Sequence, residues 1–241
     1  MAPTRFYGHR PPNVTTENLP GRLIAIEGTD GVGRSTHVAL LKEWLEARGF
    51  AVLDTGFTQS ALAGPGIQRA KQGHTLDAMT LNLFYATDFW DRLERQILPA
   101  LKAGMIALTD RYIFSLIARA SVRGVSSEWM EGLYGFAPVP DLVVYLDVDV
   151  DTLLPRVLSS TGFDYWESGQ DYLTGDSLFD SFTRYQHDLL AEFRRLSTKY
   201  EFKMLDARRS VAEVFHDLCS EVEPILHTMQ LESEGSIGAD R

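Results

Sequence analysis

One cysteine in 241 residues, Cys219, leaves no partner for an internal disulfide. Its neighbours Val214, Phe215, Leu218 and Val222 recur at helical spacing, which predicts a small core residue in a reducing cytoplasm. No apolar run approaches the roughly 18 residues of a membrane span, so a membrane is not an expected partner. Positive charge is scarce: 23 Lys and Arg against 33 Asp and Glu give a net charge of −10. That excludes nucleic acid as the main partner, because polyanions are gripped by clustered cations. The deficit is sharpest from Val157 to Thr183, which has no Lys or Arg but carries Asp164, Glu167, Asp171, Asp176 and Asp180. No internal repeat or break in composition marks a second domain, and the length suits one large α/β domain. Residues 1–20 are polar and proline-containing, without the apolar core of a secretory signal, and read as a loose arm.

What is present begins at Leu23–Thr36, LIAIEGTDGVGRST. Leu23, Ile24 and Ile26 read as a short buried strand. Gly28, Gly31 and Gly33 permit a tight turn and close backbone approach to a ligand. Ser35 and Thr36 open a helix carrying Val38, Leu40, Leu41, Trp44 and Leu45, so that loop N–H groups and the positive helix end converge on one point. The spacing is that of a phosphate-binding P-loop, GxxxxGK(S/T), with Arg34 in place of the lysine. A guanidinium keeps the charge but clamps two oxygens side by side instead of reaching between phosphates as a point charge.

Further on, Ala51–Leu53 reads as a second strand and Asp54–Gly66 as a loop. Leu76, Met79, Leu83, Trp90, Leu93, Ile97 and Leu101 mark a long amphipathic helix over Thr75–Leu101. Phe84 and Phe89 widen its apolar face enough to serve a subunit interface as well as the core. Met105–Leu108 is a third strand, ending in Asp110 and Arg111. Ile113–Ala120 and Glu128–Phe136 read as short helices, and Asp141–Asp147 as a fourth strand buried on both faces. A helix over Val150–Leu158 precedes a long loop, Ser159–Asp176, of the kind that covers a site. A helix over Leu178–Tyr200 with a stripe of Phe179, Phe182, Leu189, Phe193, Leu196 and Tyr200 follows, then a fifth strand at Phe202–Leu205. Ser210 and Glu213 form a capping box for the last helix. Residues 228–241 read as a frayed acidic tail.

Five strands alternating with helices predict an α/β fold with a doubly wound parallel sheet and ligands at the strand C-termini. A phosphate cradle, an acid and a mobile cover then share one edge, the parts that phosphoryl transfer requires. Ser35 and Asp110 are candidate magnesium ligands. Arg111 and Arg156 are candidate phosphate or base contacts.

These residues resemble the thymidylate kinase family of nucleoside monophosphate kinases. The resemblance runs over residues 21–227 and is carried by IEGTDGVGRST at Ile26–Thr36, DRYIFS at Asp110–Ser115, PDLVVYLDV at Pro140–Val148, and Arg156. It implies a P-loop kinase fold with a lid at about 159–176, ATP and Mg²⁺ as cofactors, a nucleoside monophosphate (dTMP) as acceptor, and a homodimer. The resemblance also implies donor contacts from Gly28, Thr29, Asp30, Gly31, Val32, Gly33, Arg34, Ser35, Thr36 and Arg156. Acceptor contacts are implied from Asp30, Phe57, Tyr85, Phe89, Arg111, Ser115 and Arg119, with Arg34, Asp110 and Arg111 at the reacting groups. The chain departs from the family where Arg34 stands in the P-loop, Gly56–Thr58 replace Arg-Glu-Pro, Asp88-Phe89 replaces Asp-Arg, and Arg119-Ala120 replaces Tyr-Gln. With no cation in the lid, Arg34 is expected to serve as both clamp and transition-state cation, helped by Arg119 or Arg123. Two alternatives stay open: a kinase acting on another nucleotide or small acceptor, and a nucleotide-binding protein with little catalysis.

Overall fold

Segments that are apolar on both faces become the central strands. Leu23–Ile26 and Leu142–Leu146 are buried throughout and lie side by side. A computed structural model describes residues 5–12, 14, 19–73, 76–160, 162–173, 175 and 177–239, with side chains as far as Glu232. Thr75, Asp176 and parts of the N-terminal arm lie outside the described residues.

The strands are β1 (Arg22–Glu27), β2 (Val52–Gly56), β3 (Ile106–Asp110), β4 (Leu142–Asp147) and β5 (Lys203–Asp206). They form one sheet in the order β2-β3-β1-β4-β5, with every pairing parallel. The register sets Ile26 beside Asp110 and Gly56 beside Asp110, so the C-terminal ends of β1, β2 and β3 share one edge. The chain moves outward from β1 to β2, returns to β3, and then crosses to β4, which makes the end of β1 the switch point where such sheets bind ligands. Alternation along β1 sends Leu23 and Ala25 into one core, with Tyr145 and Phe193, and Ile24 and Ile26 into the other, with Leu146 and Val214.

The helices are α1 (Arg34–Glu46), α2 (Gly64–Gly73), α3 (Ala78–Arg92), α4 (Leu98–Lys102), α5 (Ile113–Val122), α6 (Ser127–Leu133), α7 (Val150–Ser159), α8 (Leu178–Lys199) and α9 (Val211–Ala239). The stretch expected as a loop after the second strand is in part ordered: β2 runs on to Gly56 and α2 begins at Gly64. The long helix is interrupted by a wide turn at Leu93–Ile97. Pro99 explains the interruption, since it has no N–H to donate and its ring crowds the carbonyl four residues back.

Two termini are better packed than the sequence suggests. Tyr7 stands edge-on to Phe114 and Tyr200, with ring centroids 5.6 and 5.3 Å away, and Leu19 is buried, so part of the arm belongs to the core. The last helix continues through the expected tail to Ala239, and Glu232 pairs with Arg22 at 2.6 Å. Cys219 is half-buried instead of fully inside. Phe179 stays about half exposed at the start of α8.

Candidate active site

The loop between β1 and α1 builds the site. Gly31 has φ +80°, and a Cβ there would lie 2.7 Å from Val157 Cγ2, so glycine is required on both counts. Gly33 caps α1 in the left-handed region, leaving the first N–H groups of α1 directed at the loop. Thr29 is pinned from its side chain to Gln186 of α8. Val32 is buried, and Ser35 and Thr36 are exposed at the start of α1.

Arg34 is turned across this loop. Its guanidinium donates to Asp110, to the Gly28 carbonyl, to the Thr29 carbonyl at 3.1 Å and to Asp30 at 3.3 Å. Four of its five N–H donors are thus engaged with protein, and the side chain is nearly inaccessible. Ser35 Oγ donates to the other oxygen of Asp110 at 3.0 Å. Asp110 therefore gathers two consecutive residues of α1 at the end of β3.

Asp30 gathers three arginines. Arg34 reaches one oxygen, Arg111 reaches that same oxygen, and Arg119 of α5 reaches the other at 3.0 Å. Arg111 is held at φ +71°, a conformation uncommon for a side-chain-bearing residue. Glu27 stabilises that turn: fully buried at the end of β1, it accepts from the backbone N–H of Tyr112 at 2.8 Å and of Ser115 at 3.1 Å, and from the Ser115 hydroxyl. Burial pushes the Glu27 carboxyl above its ordinary range, with these hydrogen bonds and Arg34 opposing. Burial, together with repulsion from Arg119, draws Arg111 down to about 10.

The acidic segment expected as a lid is tied to α5 by two rungs. Arg119 meets Glu167 at 2.6 and 2.9 Å, and Arg123 meets Asp171 at 2.7 and 3.0 Å. Both pairs are spaced by four residues, so one face of α5 matches two acids of the lid. This explains a lid without cations, because its acids are complementary to arginines on a neighbouring helix. Lys71 of α2 and Asn82 of α3 join Tyr85 and Arg119 in lining a cavity of about 290 Å³, and Lys71 also lines a second of about 440 Å³ with Asp30 and Arg111. Neither Lys71 nor Asn82 has a motif to announce it, and Glu27 stands in the phosphate-loop run with no role of its own to mark it.

Three expected acceptor residues line neither cavity. Phe89 is fully buried against Tyr112, Tyr134 and Phe136, inside the core and away from both cavities, because the apolar stripe it widens faces inward. Ser115 is fully buried as well, its hydroxyl committed to Glu27. Phe57 stands against Tyr85 at 6.1 Å and beneath the Arg111 guanidinium at 5.9 Å, outside the walls of both cavities. Arg156 donates to the carbonyls of Ala207 at 2.9 Å and Val32 at 3.5 Å, beside the outer edge of the loop. Among the described residues no group of three or more His, Cys, Asp and Glu forms a metal cage. A divalent ion here would be held by few protein oxygens, as magnesium is at nucleotide sites.

A five-stranded parallel sheet carrying a P-loop at its switch point defines a P-loop nucleotide-binding α/β protein, here with an acid, clustered arginines and the acidic 162–173 segment on the same edge. The family model for thymidylate kinase matches residues 26–218. "Probable thymidylate kinase 2" of Saccharolobus solfataricus is 35% identical over 202 residues, covering 83% of this chain and 94% of the relative. "Thymidylate kinase" of Shouchella clausii is 33% identical over 213 residues, with 86% and 96% covered. "Probable thymidylate kinase" of Pyrococcus abyssi is 29% identical over 216 residues, with 85% and 97% covered. The chain belongs to the thymidylate kinase family.

Proposed function

We propose that the protein transfers the γ-phosphoryl group of ATP to dTMP, giving ADP and dTDP, and that it does so as a cytoplasmic homodimer. The observation that carries the reading is the meeting of Arg34 and Ser35 with Asp110 at the end of β3. An oxyanion of the acceptor's phosphate forms the new bond to the γ-phosphorus while the bond to the β–γ bridging oxygen breaks, and the departing ADP keeps the electron pair. No proton needs to be abstracted, so the protein's work is positioning and charge neutralisation.

Backbone N–H groups from Gly28 to Thr36 cradle the donor phosphates, and Arg156 borders the donor side. Ser35 Oγ and Asp110 Oδ2, two oxygen donors 3.0 Å apart, fit a magnesium ion. When bound, that ion neutralises charge on the donor's phosphate oxygens. Arg34, released from part of its protein contacts, clamps phosphate oxygens, while Arg111 and Arg119 hold the acceptor's phosphate with Asp30 fixing both guanidiniums. Tyr85 offers a ring face to the base, and Asn82 offers a paired donor and acceptor to the base edge.

Incubation with ATP, Mg²⁺ and a panel of monophosphates, followed by chromatography, tests the reading. Formation of dTDP in preference to the other diphosphates is expected. A preference for another acceptor replaces dTMP. No diphosphate, with ATP still raising the melting temperature, leaves a nucleotide-binding protein.

A further inference from the structure

Two cavities open along the lid side of the C-terminal edge. The larger is bounded by Asp30 and Gly31 of the phosphate loop, with Arg111 and Glu167; the smaller is bounded by Asn82, Tyr85 and Arg119. The side chain common to both is Lys71, in the last turn of α2. Its position is fixed from two sides of the lid's Trp166: the Lys71 carbonyl accepts from the indole N–H at 3.2 Å, and the ammonium lies 5.9 Å from the ring centroid.

Lys71 differs from the neighbouring cations in how its charge is met. Arg34 pairs with Asp110 and Asp30, Arg111 with Asp30, Arg119 with Glu167 and Asp30, and Arg123 with Asp171. Lys71 makes no ion pair among the described residues, although it is half-buried. Burial, with Arg119 adding repulsion, holds its ammonium below the ordinary lysine range, and Glu167 and Asp164 oppose that from a distance. A half-buried cation without a direct counter-charge is costly unless an anion joins it. The cavities it joins are those that the phosphate loop and the Tyr85 wall define.

In phosphoryl transfer, charge spreads over the oxygens of the moving group, between donor and acceptor, and a cation aimed there stabilises the transition state. The lid offers none, having no Lys or Arg from Val157 to Thr183. Resting on the phosphotransferase reading above, we propose that Lys71 is the cation that contacts the transferring phosphoryl group, supplied by α2 across the junction of the two cavities. Its compact ammonium, with three donors on a flexible stem, follows the phosphoryl group from donor to acceptor, a movement for which a planar fork is less suited.

Lys71→Met keeps an unbranched stem of similar length and removes the charge; Lys71→Arg keeps the charge. Two readouts are needed in the full chain: steady-state kinetics with ATP and dTMP, and calorimetric binding of adenosine and thymidine joined 5′ to 5′ through a pentaphosphate. Lys71→Met is expected to lower kcat at least about tenfold with both KM values within about threefold, and to weaken the pentaphosphate at least about tenfold while ADP and dTMP bind singly as before. Lys71→Arg is expected to recover most of both losses. Unchanged kcat and pentaphosphate binding in Lys71→Met overturns the proposal, as does equal impairment of both variants with a lowered melting temperature, which marks a packing role. If the parent binds the pentaphosphate but forms no dTDP, the proposed function fails while the binding comparison still decides Lys71. A parent that does not bind it overturns both.

Discussion

Arg119 and Glu167 form a two-pronged ion pair that joins α5 to the lid, with both side chains largely removed from water. Burial alone would raise the Glu167 carboxyl, but Arg119, Arg111, Lys71 and Arg123 outweigh it and hold the group below its ordinary 4.5. The folded value therefore lies under the unfolded one. The stabilisation is complete above the unfolded value and is lost as pH falls through the folded value. Glu167→Gln is expected to cost about 1–3 kcal/mol at neutral pH, because Arg119 keeps only part of its pairing. Below about pH 4.5 the melting temperature of the parent should fall more steeply than that of the variant. Parallel curves across the whole acid range would refute the pairing.

Arg34 is expected to be indispensable in turnover. Arg34→Ala removes a phosphate clamp and should lower kcat/KM by a factor of about 10³ or more. Arg34→Lys should keep ATP binding yet turn over about tenfold more slowly, since an ammonium cannot clamp two phosphate oxygens side by side, and one lost charge-assisted bond is worth that factor. Steady-state assays of both variants decide it, and an alanine variant as active as the parent would remove Arg34 from the mechanism.

Glu27 links core stability to site geometry. Glu27→Ala leaves two backbone N–H groups and the Ser115 hydroxyl without their acceptor, at a cost of about 3–5 kcal/mol. The left-handed turn at Arg111 loses its support, so urea unfolding should show the loss of stability, and the KM for dTMP should rise in whatever fraction stays folded.

The central strands and the phosphate loop were legible because their signals are local. An apolar run, three glycines and a helix start lie within Leu23–Thr36, and the mechanism needs them adjacent. The place of Phe89 is not legible in the sequence, because periodicity tells how wide an apolar stripe is and not what lies opposite it; here Tyr112 and Tyr134 do. Lys71 was invisible, since its segment lacks a motif and its meaning comes from Trp166, nearly a hundred residues on. The run of acids after α7 is legible in the sequence and its partners are not, although Arg119 and Arg123 repeat the four-residue spacing of Glu167 and Asp171. The docked Tyr7 had no sequence signal, because one aromatic in a polar arm acquires its place only when Phe114 and Tyr200 present theirs.

The outer face of α3 bears on the proposed dimer. Met79 and Leu83, one turn apart, are each 45% exposed, and Phe84 beside them is 38% exposed. Three large apolar side chains on one helix face form a patch suited to a second copy of the same helix across a two-fold axis. Leu83→Glu would place a charge in that contact, where an unpaired carboxylate costs several kcal/mol, while in a single chain the same side chain projects into water and changes stability by less than about 0.5 kcal/mol. Sedimentation at micromolar concentration should therefore show a dimeric parent and a monomeric variant with an almost unchanged melting temperature at low concentration. A parent that sediments as a monomer ends the dimer reading, and a variant that remains dimeric moves the interface to another face.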